Sequence, residues 1–477
     1  MDSDLRTKAA HILDAMPCAL EMPAGTGKTQ LVAGVTALAT ELGHRTLILT
    51  HTNAGVSALR KRLKKFGIAP GAFHIDTITG WAFELVRHYP KLAGLRVPSS
   101  PDWEDSQSYL NAAIAVSQSS AIKRMHAASF RYFLVDEYQD CSVRQHEFML
   151  SIADSIENTA IFGDRLQGIF GFKGEQLVSW ADDVFPRFPL CAQEHAPWRW
   201  RGHNDELGNW LLGIRSQLVP GGTLDLSATR ISGLSWQRTD FNEAVRTAYR
   251  FRNPDESVVV IDKWRQGSAR FAGRLGGSYS VMEDLNGRFM QDELKKLDAM
   301  ASDKWPIWLV QLAKACFSGL ADINATVVNR LETGKSIDGL KRPALTKVMA
   351  AIRSVQSDST LARLASAMES IESCGEAKLY SHESWRDITA AIRATSADDS
   401  RPLCDSLSII RDRRRYSGRD THRRVASRTL LIKGLEYDHA IITNADSIND
   451  ARNLYVALTR PRKTLTIFSS SPTIRVA

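Results

Sequence analysis

Two short stretches contain residue types that can bind a phosphate chain and act on it. The first, MPAGTGKT, follows a short apolar run, and its small residues would let backbone N–H groups wrap around phosphate oxygens. Lys28 would reach the β- and γ-phosphates, and Thr29 would place its hydroxyl on Mg²⁺. Met22 occupies the position that the strict pattern gives to glycine. The predicted ATP-binding residues of this loop are Ala24, Gly25, Thr26, Gly27, Lys28 and Thr29.

The second stretch, YFLVDEYQD, runs from four apolar or aromatic residues directly into carboxylates. The apolar run predicts a buried strand of a parallel sheet. Asp136, Glu137 and Asp140 would repel one another unless they lie at a solvated turn or surround a cation. A phosphate-binding loop needs a carboxylate on a neighbouring strand to hold Mg²⁺, which favours the cation and assigns it to Asp136. Glu137 would be the base that activates water, so the two stretches together predict an ATPase centre.

Strand-like runs alternate with helical patterns along the chain. This alternation predicts an α/β fold in which parallel sheets are covered by helices, and two such sheets are expected. Residues 90–127, rich in Pro, Ser and Gln, predict a small insertion in the first half, and residues 270–405 predict a larger, mostly helical one. The predicted strands are 18–22, 46–50, 132–137, 159–164, 257–262, 439–443 and 464–468.

The composition is that of an ordinary globular protein with a mild basic excess. Of the 477 residues, 43% are hydrophobic and 24% are charged, and Lys plus Arg number 61 against 53 Asp plus Glu. The net charge of +8 favours a polyanionic partner, although a basic protein without one fits the charge equally well. The run RDRRRYSGRDTHRR at 411–424 has the same two interpretations, a solvated surface or a patch that faces nucleic acid.

Cysteine usage and hydropathy indicate the compartment. The six cysteines form no CxxC pair, which argues against a zinc site and a disulfide framework and fits a reducing cytosol. The N-terminus carries acids and lacks the apolar segment of a signal peptide. No run approaches the roughly 18 apolar residues that a membrane span needs. The sequence therefore predicts a cytoplasmic protein without a membrane partner.

The carboxylate stretch resembles a motif of a helicase superfamily. The tetrad DEYQ, followed by a further aspartate, is similar to motif II of the superfamily 1 DNA helicases related to UvrD and Rep, and other motifs follow in the family's order. The resemblance implies a compact ATP-dependent DNA helicase or translocase that single-stranded DNA stimulates and that moves 3′ to 5′. It also implies a first RecA-like P-loop NTPase domain at 1–195, a second at 196–269 with 406–477, and a mostly helical, 2B-like insertion at 270–405.

Four further motifs imply contacts with the nucleotide. GDRLQGIFGFKG resembles motif III, in which Gln167 would sense the γ-phosphate. PWRWRGHNDELGNWL resembles motif IV, in which Arg199 would grip the γ-phosphate, with Arg201 as the alternative register. LIKGLEYDHAII resembles motif V, in which Glu436 would meet the ribose. NLYVALTRPRK resembles motif VI, in which Arg460 would be the arginine finger.

Other parts of the resemblance imply contacts with a single strand. LTHTNAGVSALRKRL is similar to motif Ia, and DTITGWAF to the next DNA-contacting motif. The phenylalanines of motif III would stack on bases, since every base offers a π-face. A glycine of motif V would approach the backbone. The residues implied in nucleic-acid binding are Thr52, Asn53, Thr77, Phe170, Phe172 and Gly434.

Two functions of different kinds fit these motifs. The leading hypothesis is a helicase acting on single-stranded or tailed duplex DNA, and RNA would satisfy the same backbone and stacking contacts. The alternative is an ATP-gated DNA-binding or regulatory subunit of a multiprotein complex, for example with a nuclease or in phage defence, that hydrolyses ATP but does not unwind alone. ATP and Mg²⁺ are the expected cofactors in both. Unwinding of a tailed duplex by the chain alone would separate them.

Overall fold

The structure, a computed structural model, describes residues 1–98, 105–169, 176–284, 287–398, 400–417 and 422–477. These residues divide into two compact units. The first comprises 1–222 and 450–459 with Ala477, and the second comprises 223–449 and 460–476. The domain ranges predicted from the sequence stay predictions.

The first unit is built on a five-stranded parallel sheet. Its strands are β1 (Cys18–Glu21), β2 (Thr46–Thr50), β3 (Phe73–Thr77), β4 (Tyr132–Val135) and β5 (Asn158–Gly163). They lie in the order β1-β5-β4-β2-β3, and all neighbours run parallel. The four predicted strands of the first half are present, and β3 is an addition to them. Because all strands are parallel, every residue that follows a strand lies at the same edge of the sheet.

Helices cover both faces of this sheet. They are α1 (Ser3–Ala15), α2 (Lys28–Glu41), α3 (Asn53–Lys65), α4 (Ile78–His88), α5 (Pro90–Ala93), α6 (Ser106–Gln118), α7 (Ser120–Ser129), α8 (Val143–Ala153) and α9 (Asp205–Gly213), joined by a helix from the end of the chain, Ala451–Leu458. Alternate residues of a strand point to opposite faces. Ile48 thus packs with α1, α2 and α3, whereas Leu47 and Leu49 pack with α4, α6 and α8. The apolar runs are strands buried on both faces.

The second unit contains a six-stranded parallel sheet and two short antiparallel pairs. The strands are β6 (Thr223–Asp225), β7 (Leu234–Arg238), β8 (Val258–Ile261), β9 (Ser280–Val281), β10 (Phe317–Ser318), β11 (Lys378–Leu379), β12 (Arg424–Ser427), β13 (Tyr437–Ile442), β14 (Pro461–Ser469) and β15 (Thr473–Arg475). The large sheet has the order β7-β14-β13-β8-β12-β9, and β6 pairs with β15 and β10 with β11. The three strands predicted in the second half correspond to β8, β13 and β14, which are adjacent in the interior of this sheet.

Helices form most of the rest of the second unit. They are α10 (Phe241–Arg250), α11 (Arg265–Arg274), α12 (Arg288–Asp298), α13 (Trp305–Cys316), α14 (Ala325–Glu332), α15 (Thr346–Ser357), α16 (Leu361–Ser373), α17 (His382–Ala397), α18 (Leu403–Ser417) and α19 (Thr429–Ile432), and Ala451–Leu458 of the first unit is α20. Helices α12 to α18 share a core of their own that includes the fully buried Trp308 and Trp385. A mostly helical region was expected there.

Parallel sheets flanked by helices, with a helical region added to the second, are the fold class that the sequence predicts. The prediction of two RecA-like sheets is therefore confirmed. Among the helices that the structure describes, none combines the length and the apolar character needed to cross a membrane.

Candidate nucleotide-binding site

The loop between β1 and α2 has the backbone of a phosphate-binding loop. Gly25 and Gly27 adopt φ angles of 74° and 90°, in the left-handed region where a side chain is strained. A Cβ on Gly25 would also lie 2.5 Å from the Trp200 ring, so this glycine is needed for close packing as well. The N–H of Met22 donates to the carbonyl oxygen of Gly163 at 2.7 Å, so the pairing of β1 with β5 continues up to the start of the loop. Methionine in place of glycine is compatible with this geometry.

Lys28 begins α2 and points to the carboxylates after β4. Its Nζ lies 2.7 Å from Oδ1 of Asp136 and also forms an ion pair with Glu137. Burial by itself would lower the pKa of Lys28, but the two carboxylates outweigh it and raise that pKa above its ordinary value. Burial raises the pKa of Asp136, and Lys28 opposes that rise. The loop lysine and the strand-end acids predicted from two separate motifs are thus brought together.

Glu137 has an unusual backbone conformation. Its φ of 59° makes it the only non-glycine residue with positive φ in the described part of the chain. Such a conformation costs on the order of 1–3 kcal/mol and is found most often at functional sites. Its carboxylate accepts a hydrogen bond from Nε2 of Gln139, whose Oε1 accepts the N–H of Asp164 at 3.0 Å. Glu137 is therefore held next to Lys28 from both sides.

Gln167 lies in a single 3-10 turn after β5. Its Nε2 donates to Oδ2 of Asp164 at 2.9 Å, and the carboxylate of Asp164 also caps the turn by accepting the N–H of Leu166. Asp164 is fully buried. The side chain predicted to sense the γ-phosphate is thus oriented by a carboxylate that solvent does not reach.

An arginine that the sequence does not single out is bonded to that carboxylate. Arg215 lies 2.9 Å from Oδ1 and 3.1 Å from Oδ2 of Asp164, and it also pairs with Glu21 at the end of β1. Its guanidinium donates to the hydroxyl of Tyr455 at 2.7 Å. The same hydroxyl accepts the N–H of Ala24 in the glycine loop at 3.1 Å. No motif in the sequence marks Arg215.

The predicted motif IV arginine lies against the loop. The N–H of Arg199 donates to the carbonyl oxygen of Gly25 at 3.0 Å, and its guanidinium donates to the carbonyl oxygen of Thr459 at 2.5 Å. Arg201, the alternative register, instead stacks on the ring of Trp198 at 4.1 Å. Which of the two arginines binds the γ-phosphate stays a prediction.

Trp198 lies beside the loop and was not singled out from the sequence. The residue is 45% exposed, and a Cβ on Gly27 would be 3.4 Å from its ring. The signal was present as a large aromatic residue directly before Arg199, but its exposure could not be read from the sequence. An exposed ring at this place offers a surface on which a base can stack.

The predicted nucleic-acid residues of the first unit lie at the ends of adjacent strands. Thr52 and Thr77 are the N-caps of α3 and α4, and their hydroxyls accept the N–H groups of Gly55 at 3.1 Å and Gly80 at 2.9 Å. Because β2 pairs with β3, the two helix N-termini lie side by side. Asn53 is exposed in the first turn of α3. Two neighbouring N-termini favour a negatively charged backbone.

The predicted phenylalanine contacts remain predictions. Phe170 and Phe172 lie outside the residues that the structure describes.

The second unit contains the remaining predicted residues. Arg460 is fully buried, and its guanidinium donates to the carbonyl oxygens of Leu435 at 3.1 Å and Ile432 at 3.5 Å. Gly434, in the turn after α19, has a φ of 78°, and Glu436 is exposed two residues later. Within this unit, the structure brings the arginine of motif VI to the turn of motif V. The roles predicted for these three residues stay predictions.

The residues at the loop fit a magnesium nucleotide. A glycine loop that opens a helix presents N–H groups to phosphate, and Lys28 adds a buried positive charge. Mg²⁺ is usually held by one or two carboxylates and substrate phosphates, with water completing its octahedron. The carboxylate of Asp136 and the hydroxyl of Thr29 are hard oxygen donors of that kind. Both side chains therefore have the donor chemistry that the predicted Mg²⁺ site requires.

The parallel sheet, its glycine loop and its strand-end carboxylates define a RecA-like P-loop fold. Within it, residues 99–179 match the family model of the UvrD/REP helicase N-terminal domain. This segment includes Asp136, Glu137 and Gln167, so the resemblance to the UvrD/Rep helicases is confirmed there. A curated relative, the probable DNA helicase II homolog of Rickettsia conorii, is 35% identical over 60 residues. That match covers 13% of this chain and 9% of the relative's length.

Two solved helicase structures are similar to parts of this chain. The Pif1 helicase of Candida albicans has a TM-score of 0.28 and 12% identity, with 52% of this chain and 53% of that chain covered. The DEAH/RHA helicase HrpB of Escherichia coli has a TM-score of 0.31 and 12% identity, with 57% of this chain and 29% of that chain covered.

Proposed function

We propose that this protein is an ATP-dependent DNA helicase or translocase of the UvrD/Rep type, whose ATP hydrolysis is stimulated by single-stranded DNA and whose direction is 3′ to 5′. The observation that carries the proposal is the ion-paired cluster of Lys28, Asp136 and Glu137 beside the glycine loop. The match of the surrounding residues to the UvrD/REP helicase model supports the choice of helicase among P-loop proteins. A cytoplasmic location is part of the proposal.

The catalytic roles are proposed from the motifs, and the contacts of several of these side chains support them. Lys28 would exchange its carboxylate partners for the β- and γ-phosphates. Thr29 and Asp136 would hold Mg²⁺, which supplies positive charge to the oxygens of the transferred phosphoryl group. Glu137 would orient a water and accept its proton. Gln167, directed by Asp164, would contact the γ-phosphate, and Arg199 would do so from beside Gly25.

The base of the nucleotide would stack on Trp198. Arg201 stacks on this ring in the structure, so its guanidinium would be displaced or would cover the base from the other side. A stacking surface recognises any base, because every base has a π-face. The proposal therefore includes binding of nucleotides other than ATP at a similar affinity.

Single-stranded or tailed duplex DNA is the proposed partner. The N-termini of α3 and α4, capped by Thr52 and Thr77, would bind the phosphodiester backbone of the strand. Asn53, Phe170, Phe172 and Gly434 are proposed contacts on the basis of the resemblance. Backbone and stacking contacts of these kinds admit RNA as well.

The decisive experiment combines two assays on the purified chain. ATP hydrolysis is measured with and without single-stranded DNA, and unwinding is measured on duplexes with a 3′ tail, a 5′ tail or blunt ends. The proposal predicts DNA-stimulated hydrolysis and unwinding only of the 3′-tailed duplex. Lys28→Ala is the inactive control, because the phosphate charge loses its partner.

Each other outcome has a definite meaning. Unwinding from the 5′ tail would overturn the direction. Stimulated hydrolysis without unwinding would favour a subunit that needs a partner protein, such as a nuclease. A lack of hydrolysis with any nucleotide and either nucleic acid would overturn the proposal.

A further inference from the structure

Arg215, which lies in none of the predicted motifs, is the centre of a largely buried cluster in the first unit. Its guanidinium contacts both oxygens of Asp164, the carboxylate of Glu21 and the hydroxyl of Tyr455, at 2.7 to 3.3 Å. The Arg215 side chain is 17% exposed and that of Asp164 is fully buried. The Cζ atom of Arg215 also lies 5.0 Å from the centroid of the Tyr455 ring. Four separate contacts therefore fix the position of one side chain.

Two of these contacts lead directly to groups with proposed roles at the phosphates. Oδ2 of Asp164 accepts a hydrogen bond from Nε2 of Gln167 at 2.9 Å. The same carboxylate therefore binds Arg215 and orients Gln167. Tyr455 accepts the N–H of Ala24 at 3.1 Å, so the hydroxyl that Arg215 holds is also bonded to the glycine loop. Arg215 is thus linked to these two groups through Asp164 and Tyr455.

The burial of Asp164 explains why a cation is needed. A carboxylate removed from water is costly unless it is paired and its lone pairs accept hydrogen bonds. Asp164 accepts from Leu166, Gln167 and both terminal nitrogens of Arg215. Without the guanidinium, the buried carboxylate of Asp164 would lose its charged partner and would turn away from its present position. That change would leave Gln167 with an altered partner.

We infer that Arg215 is a positioning residue of the ATPase site, which acts on catalysis through Asp164 and Gln167 and on the glycine loop through Tyr455. This inference rests on the proposed function, because Gln167 has a catalytic task only if the protein hydrolyses a nucleotide. Arg215 fixes the orientation of Gln167, the predicted γ-phosphate sensor, and does not itself contact the substrate. A side chain of this kind changes turnover more than affinity, because small displacements at the phosphates mainly affect the transition state.

The test compares two variants with a matched control. Arg215→Gln removes the charge, and Arg215→Lys keeps the charge but loses the two-pronged contact with Asp164. Arg165→Gln is the control, because the Arg165 side chain also pairs with Glu21, at 2.7 Å, but is 51% exposed, and the ion pair that it forms is with Glu21 and not with Asp164. We expect kcat to fall about 10- to 100-fold in Arg215→Gln, with a smaller change in KM. Arg215→Lys should recover part of kcat, and Arg165→Gln should match the wild type.

A double variant separates positioning from a merely structural role. If Arg215 acts through Gln167, then adding Arg215→Lys to Gln167→Ala should lower kcat little further, because the oriented group is already absent. Thermal unfolding of every variant shows whether it is folded. If Arg215→Gln does not fold, the comparison is made with Arg215→Lys instead. Fully additive effects on kcat in the double variant, or a wild-type kcat in a folded Arg215→Gln protein, would overturn the inference.

The inference and the proposed function fail in different ways. A wild-type protein without nucleotide hydrolysis would contradict the proposed function before any variant is made. An active wild type whose Arg215 variants behave like Arg165→Gln would contradict only the role of Arg215.

Discussion

Replacing Lys28 with methionine should destabilise the folded protein as well as abolish ATP hydrolysis. The lysine side chain is 10% exposed, and it is paired with Asp136, which is 4% exposed, and with Glu137, which is 30% exposed. Removing one partner of a buried ion pair typically costs about 3–5 kcal/mol, because the other charge is left without compensation. The ion pair with Glu137 contributes less to this cost, because Glu137 is more exposed and solvent screens its charge. We therefore expect the nucleotide-free variant to lose about 3 kcal/mol of unfolding free energy at neutral pH.

The loss should depend on pH in a direction that the site determines. Burial raises the pKa of Asp136 in the folded protein, and Lys28 is the group that opposes this rise. Without the lysine the pKa of Asp136 rises further. A group whose pKa is higher in the folded state reduces stability as the pH increases through that pKa. The difference between variant and wild type should therefore be largest at neutral pH and should shrink towards 3.8, the ordinary pKa of an aspartate.

Urea denaturation of the nucleotide-free proteins at neutral and at mildly acidic pH measures both effects. The matched control is Lys28→Met combined with Asp136→Asn, which removes both buried charges. It should recover most of the lost stability and none of the activity, because a neutral pair needs no compensating ion. A Lys28→Met protein as stable as the wild type at neutral pH would refute this account of the cluster. A loss of the same size at both pH values would refute the assignment of the effect to Asp136.

Three other predictions concern single side chains. Glu137→Gln should keep nucleotide binding but lower turnover by at least about 100-fold, because the base that activates water is removed. A binding titration and a single-turnover hydrolysis assay measure the two effects, and rapid turnover would exclude Glu137 as the base. Trp198→Ala should weaken nucleotide binding about fivefold, or about 1 kcal/mol, with Trp198→Phe closer to the wild type, and equal affinities would exclude stacking. His126 is fully buried, and burial lowers its pKa from 6.5 to about 4. At about 1.36 kcal/mol per pKa unit, the wild type should lose about 3 kcal/mol as the pH falls from 6.5 to 4, a loss that His126→Leu should lack in urea denaturation.

The parts of the site that the sequence predicts are those in which neighbours along the chain carry the chemistry. MPAGTGKT and YFLVDEYQD each combine a strand, a turn and reactive side chains within a few residues, so the loop and the acids were both recognisable. The strand β3 was missed because only Ile75 of its five residues is fully buried, and the apolar run that marks the other strands is therefore lacking. Alternation of buried and exposed residues is a weaker signal over so short a segment.

The chemistry of the strand ends explains why the sequence predicts one of the two charge clusters and not the other. Both clusters hold two acids around one cation at the same edge of the sheet: Asp136 and Glu137 around Lys28, and Asp164 and Glu21 around Arg215. Lys28 belongs to the glycine loop that is proposed to bind phosphate, and a loop with that task needs its lysine at a fixed spacing, which forms a motif. Arg215 needs only to reach a buried carboxylate 51 residues earlier in the chain, which many positions could achieve in a folded protein. Binding of a phosphate chain would therefore rearrange the first cluster, whereas the second has no reason to change and can serve as the fixed support against which Gln167 is held.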